Sequence, residues 1–226
     1  MSRTASELLF ESFCDINGLA YVRVPEAAAP APDYHLTLGQ RVVHVEVKQI
    51  DKDENFTGPS STRTAGAHVR AEINEARARV RPAAEQGLPA ILLSYNNLDP
   101  MQAFGTEPHD FTAGMYGDLT IDISLPSGQR SEMYHGRNKA LRDGKNDSFS
   151  AVGWLYRGSD SIGVHLYENM HARVPLDFEA LPPCIAFNRV SPGSTSTPPS
   201  SNWNSLSSCC TTPKMTTSGS KTWMCR

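Results

Sequence analysis

The sequence predicts an α/β fold, with a core of helix, three-strand meander, helix and strand over residues 1–95 and further C-terminal β elements over 115–190. Three observations carry that prediction. A capped amphipathic segment opens the chain, two alternating runs flank Gly39-Gln40, and a second amphipathic segment leads into a short apolar run. Residues 1–190 are expected to form a single domain. Residues 191–226 are rich in Ser, Thr and Pro and contain no acidic residue, and are expected to be a disordered tail.

Thr4-Ala5-Ser6-Glu7 has the form of a capping box, so a helix is expected to start there, with Ala5, Leu9, Phe13 and Ile16 as its buried stripe and Asn17-Gly18 as its stop. Tyr21 to Val24 reads as a short strand. Asp33 to Leu38 and Arg41 to Ile50 read as the arms of a hairpin, because a two-residue connection with glycine first suits a type II′ turn. A polar loop from Asp51 to Thr64 follows. From about Ala65, the residues Val69, Ile73, Ala76 and Val80 share one helical face, and Pro82 is expected to end or kink that helix. Pro89 to Tyr95 suits a buried strand. In the second half, Leu119 to Leu125, Ala151 to Tyr156 and Ile162 to Glu168 read as strands that either extend the first sheet or build a small second one.

Composition excludes several classes. Of 226 residues, 39% are hydrophobic and 20% charged, the balance of an ordinary folded chain. No apolar run approaches the roughly 18 to 20 residues that would cross a bilayer, and the N-terminus lacks the pattern of a secretory signal, so no membrane partner and a cytoplasmic location are expected. Cys14 and Cys184 stand alone, and Cys209, Cys210 and Cys225 lie without paired histidines, so neither a zinc module nor a disulfide framework is indicated. With a net charge of −3, any contact with nucleic acid must use local positive charge.

The hairpin concentrates the chemistry. A loop of Gly39 and Gln40 pairs Leu38 with Arg41, Leu36 with Val43, His35 with His44, Tyr34 with Val45 and Asp33 with Glu46. Tyr34, Leu36, Val43, Val45 and Val47 then form a core face, while Asp33, His35, His44, Glu46 and Lys48 share the other. Opposed residues lie about 4.5 to 5.5 Å apart at Cβ, where like charges repel. A divalent cation would relieve that repulsion, since Mg²⁺ is commonly held by one or two carboxylates together with substrate phosphate and water. Without metal, removing either acid is expected to stabilise the chain.

Pro32-Asp33, twelve intervening residues, then Glu46-Val47-Lys48 resembles the signature of the PD-(D/E)XK nuclease superfamily, whose restriction-endonuclease-like core has the same element order. The resemblance covers roughly the first 95 residues. It implies a Mg²⁺- or Mn²⁺-dependent (endo)nuclease acting on DNA, with RNA not excluded and a homodimer as one arrangement. It further implies that Asp33 and Glu46 bind the metal, with the Val47 carbonyl as a further ligand, and that Lys48 positions the attacking water. Glu7 matches the acid that completes the site in many members, with Glu11 one turn later as the fallback. Gln49 follows the lysine but points to the other face of the strand.

Two other readings stay open: a nucleic-acid-binding module of the same fold without catalysis, and a transition-metal protein using His35, His44 and the carboxylates. On the second helix, Arg70, Asn74, Arg77 and Arg81 form a stripe, and Arg70, Arg77 and Arg81 would suit phosphate contacts. A solvated helix with Glu75 paired to Arg79 fits equally. Asp118 and Asp122 read as surface residues without a basic partner. Phe149, Trp154, Tyr156 and Tyr167 read as core.

Overall fold

A computed structural model of the chain describes residues 3–25, 30–51, 63–98 and 105–189. These lie within Met1–Thr195, the first of two units into which the chain divides. The expected tail, the three distal cysteines and most of the polar loop, including Lys52, fall outside the described residues.

The elements run α1 (Ala5–Asn17), β1 (Tyr21–Arg23), β2 (Tyr34–Leu38), β3 (Arg41–Ile50), α2 (Ala67–Glu85), β4 (Ala90–Asn96), α3 (Pro108–Tyr116), β5 (Leu119–Thr120), β6 (Tyr134–His135), β7 (Ala151–Arg157), β8 (Ile162–Glu168) and β9 (Ile185–Asn188). The result is a mixed α/β architecture. One seven-stranded sheet has the order β1-β2-β3-β4-β7-β8-β9. Its central strands β3, β4 and β7 are parallel, as are β8 and β9, and the remaining pairs are antiparallel.

The two faces of the sheet carry separate cores. Against one face pack Leu9, Phe10, Phe13 and Cys14 of α1, meeting Val43, Val45, Val47, Ile91, Leu93 and Leu166. Against the other pack Val69, Ile73, Ala76 and Val80 of α2, with Phe111 and Met115 of α3, over Leu92, Val152 and Tyr167. Because both faces are covered, β4 is buried along its whole length and opens on a continuous apolar run, Ala90 to Leu93, before the buried polar Ser94 and Asn96.

The capping box at the start of α1 is present: the Glu7 amide donates to Thr4 Oγ1 at 3.2 Å and the Thr4 amide donates to Glu7 Oε2 at 2.7 Å. Gly18 closes the helix with φ of 65°. The buried stripe differs from the expected one. Ser6, Leu9, Phe10, Phe13 and Cys14 face the sheet, whereas Ala5 is exposed and Ile16 is 73% exposed. Turning Phe10 inward removes more apolar surface from water than Ala5 could offer.

The hairpin register is the expected one from Leu38 opposite Arg41, through His35 opposite His44, to Tyr34 opposite Val45; the ladder stops there, so Asp33, expected opposite Glu46, lies one residue outside the strand. Helix α2 runs through Pro82 to Glu85. The carbonyl of Ala78, which proline cannot bond, lies on the exposed side, while Ala83 and Ala84 anchor the last turn in the core. At its start, Gly66 has φ of 72°, and a Cβ there would sit 2.3 Å from the Gly114 nitrogen. That position needs glycine for both conformation and space, and it lets α2 and α3 approach closely.

The second half resolves into both of the alternatives left open. β7 and β8 extend the main sheet, whereas β5 and β6 form a separate ribbon. The expected strand Leu119 to Leu125 pairs only at Leu119 and Thr120, with a further bridge from Ile123 to Arg130. Its alternation has no core to face: Leu119, Ile121, Ile123 and Leu125 are all exposed. Helix α3 and strand β9 were not expected. A signal for α3 is present in Glu107-Pro108 and Asp110, a proline at the first helical position flanked by reciprocal caps; β9 has four residues, too few to show a period. Phe149, Trp154 and Tyr167 are core residues as expected, and Tyr156 packs at the margin of the same cluster.

Candidate functional site

Asp33 and Glu46 lie on the α2 side of the sheet, and α2 turns this expected polar face into a roofed one. Arg79, in the penultimate full turn of that helix, reaches down between the two acids. Its Nη1 lies 3.3 Å from Asp33 Oδ1 and 3.4 Å from Glu46 Oε1, so one atom touches both carboxylates. The alternative pairing of Arg79 with Glu75 is not what the structure adopts.

The second oxygen of Asp33 is also used: the Val47 amide donates to Asp33 Oδ2 at 2.8 Å. Asp33 directly precedes β2, and its side chain takes up the Val47 amide just beyond the last ladder pair, Tyr34 with Val45. Lys48 Nζ lies 3.3 Å from Glu46 Oε1, and its side chain is 22% exposed. Both cations approach the same oxygen, and neither is in hydrogen-bond geometry. Glu46 is completely buried, and both its oxygens lack a hydrogen-bond partner. A buried carboxylate without hydrogen bonds is costly and calls for a compensating cation.

These surroundings shift the acids upward. Burial, followed by the charge of Asp33, pushes Glu46 up to about 7, against the opposing pull of Arg79 and Lys48. Burial also raises Asp33, partly offset by the Val47 amide and by Arg79.

A third acid joins from α2. Ser94, which stands beside Lys48 in the parallel pairing of β3 and β4, donates its hydroxyl to Glu72 Oε2. Glu72 is buried, and desolvation pushes it up to about 7, while Ser94 and the charge of Lys48 act in the opposite sense. The sequence did carry a signal for Glu72 and Arg79. They are seven residues apart, two helical turns, and directly precede the buried Ile73 and Val80, so both sit on the border of the apolar stripe.

Glu7 stands apart from this group. Its Oε2 takes the Thr4 amide, and its Oε1 takes Arg23 at 3.0 Å. Burial pushes its carboxyl up, but Thr4 and Arg23 outweigh this and hold it below the ordinary value. Its charge is still felt at Asp33. Glu11 is engaged with the Tyr34 hydroxyl and Arg3. Gln49 points to the α1 side, as expected, where its Oε1 accepts the Ser6 amide at 2.8 Å. The side chain of Val47 belongs to the α1-side core.

His35 and His44 stack with ring centroids 4.4 Å apart. His44 is buried, its Nδ1 lacks a partner, and burial followed by the charge of His35 lowers its pKa. Among the described residues, His35 and His44 do not join the carboxylates of this face in a group of three that could share one metal ion. The group of metal-ligating residues that does converge is Glu107, His109 and Asp110 at the start of α3. There Arg63 pairs with both acids, and Asp110 accepts the Gly66 amide at 2.8 Å.

The arginines of α2 separate by environment. Arg70 donates to Asp118 and to the Ala113 carbonyl, each at 3.1 Å, and to the Ala65 carbonyl at 2.8 Å. Asp118 therefore has a basic partner, contrary to expectation, and Arg70 is a tie between α2 and the segment after α3. Arg81 pairs with Glu85 at 2.8 Å, and Arg77 is exposed.

Comparison of the chain with family models, with curated proteins and with solved structures finds no match. No described helix is long and apolar enough to cross a membrane.

Proposed function

We propose that the chain is a metal-dependent nuclease of the PD-(D/E)XK type, with a restriction-endonuclease-like core, that hydrolyses phosphodiester bonds in DNA. The observation that carries this reading is the Asp33–Glu46 pair: an acid just before β2 and an acid on β3 meet at one cationic nitrogen, and Glu46 Oε2 is buried with no partner. Oxygen donors that share a cation and leave a lone pair unused suit Mg²⁺ or Mn²⁺. Asp33 and Glu46 would hold it, with the Val47 carbonyl as a further ligand. Glu7 acts on the site through its charge. When bound, the ion supplies Lewis acidity and lowers the pKa of a coordinated water.

The remaining work falls to the chain. Lys48, charged and partly open to solvent, can orient the water and meet the negative charge that grows on the phosphate. Ser94 and Glu72 wall the site beside it. Arg77 is exposed on the roofing helix, on the other border of its apolar stripe from Arg79, and is the candidate phosphate contact in this reading.

The test is incubation of the full chain with plasmid and single-stranded DNA in Mg²⁺ or Mn²⁺, beside Lys48→Ala. Cleavage by the wild type and its loss in the variant support the reading, and intact DNA in all lanes overturns it. A second reading, DNA binding without catalysis, is favoured by Arg79, since an arginine already neutralises the acids. Retention of a labelled duplex without cleavage in either metal is its signature.

A further inference from the structure

Arg79 is out of place if it serves only as a surface charge. Its side chain is 47% exposed, it projects from a helix with Glu75 available on its own face, and it nonetheless spans two acids outside that helix, one just before β2 and one on β3. It takes up the position between Asp33 and Glu46 that a divalent ion would need, and its Nη1 contacts one oxygen of each. Both contacts are longer than the roughly 2.7 to 2.9 Å of a strong charge-assisted hydrogen bond. Asp33 keeps a second anchor in the Val47 amide, so it would hold its place if the arginine left. The long side chain has solvent beside it and room to swing.

We propose that Arg79 is a resident counter-ion that occupies the Asp33–Glu46 pair in place of a divalent cation, is displaced when that cation binds, and is thereby released toward the substrate phosphate. This rests on the nuclease reading and deepens it. The guanidinium lowers the charge repulsion of the empty pair and so competes with the metal. Once displaced it remains within a side chain's length of the site, and a planar fork of N–H donors matches a phosphate. Metal loading and substrate capture are then linked: the group expelled by the first event assists the second.

The experiment titrates Mn²⁺ and Mg²⁺ calorimetrically into the full-length wild type, Arg79→Gln, Arg79→Lys and Glu46→Gln. Removing the competing charge should tighten metal binding by about three- to tenfold in Arg79→Gln, the range expected when one half-exposed cation leaves two acids. Arg79→Lys keeps a cation and should lie near the wild type, while Glu46→Gln should lose binding. Equal or weaker metal affinity in Arg79→Gln, with wild-type binding intact, overturns the proposal and leaves the nuclease reading standing. Absence of divalent binding in both wild type and Arg79→Gln overturns both. A second readout is duplex binding by fluorescence anisotropy, with Lys48→Ala as the non-cleaving background. Adding Arg79→Gln should weaken binding in Mg²⁺ and leave it almost unchanged in EDTA. Equal weakening in both conditions overturns the release toward phosphate.

Discussion

The Asp33 carboxylate accepts the backbone amide of Val47 at 2.8 Å, so an acid of the candidate site also serves as a structural clasp at the open end of the hairpin. Glu46, the other acid, has no such bond, and its oxygens are buried without hydrogen-bond partners. The two acids therefore carry different weights in the fold, although sequence alone treats them as an equivalent repelling pair.

Asp33→Ala should destabilise the metal-free protein by about 1 to 2 kcal/mol, because it strands the Val47 amide. Asp33→Asn keeps an acceptor oxygen and should cost less. Glu46→Gln should raise the melting temperature at pH 8, since it removes a buried carboxylate that resists ionisation. The relief of repulsion expected from the sequence thus applies to Glu46 alone, and thermal denaturation in EDTA distinguishes the two acids by the sign of the change.

Lys48→Ala should slow the chemical step by about a hundredfold or more, the usual cost of losing one group that stabilises developing charge. Its effect on DNA affinity should be small, because one partly buried lysine contributes little to backbone contacts. Single-turnover rates measured beside equilibrium binding separate the two effects, and a matched loss in both would place Lys48 in binding instead.

Glu72 gives the fold a pH dependence. Its pKa in the folded chain, about 7, lies above the ordinary 4.5. Its contribution is therefore fully present below about pH 4.5 and is lost as pH rises through 7. Glu72→Gln should flatten this loss. Relative to the wild type, the variant should gain about 2 kcal/mol between pH 5 and pH 8, an order-of-magnitude figure from the shift. Urea titrations at the two pH values would show it, and a constant difference between the chains would count against the assignment.

Arg70→Ala should lower stability by about 2 kcal/mol, since it leaves Asp118 and two carbonyls without this donor. Arg77→Ala should leave the melting temperature within a degree or so. In salt-dependent DNA binding the order should reverse, with Arg77→Ala reducing the slope and Arg70→Ala leaving it unchanged in protein that remains folded.

How much of this could be read from the sequence follows from how local each determinant is. The Thr4 capping box, the Gly39-Gln40 turn and the hairpin register are set within a few residues, and all three were legible. That register also brings Asp33 to the same side as Glu46, although the ladder ends one residue short of it and the two meet through Arg79. Arg79 and Glu72 reach the site only because α2 crosses back over the sheet, and a helix face in isolation does not say which strand lies beneath it. The stripe of α1 differs from its spacing for a related reason: Leu9 and Phe13 fit two neighbouring faces, and only the sheet decides between Ile16 and Phe10. Beyond Asn96, short strands and the β5–β6 ribbon leave too little period to read.

The two-residue turn at Gly39-Gln40 also bears on the order of assembly. The hairpin closes over a short span, whereas α2 must cross back from residues 67–85 before Arg79 reaches the acids. Short closures precede long ones, so Asp33 and Glu46 meet early in refolding, ahead of the group that neutralises them. At that stage only Lys48, carried on the same strand as Glu46, offsets their repulsion, and mild acid, which removes that charge, should speed the chain toward its transition state.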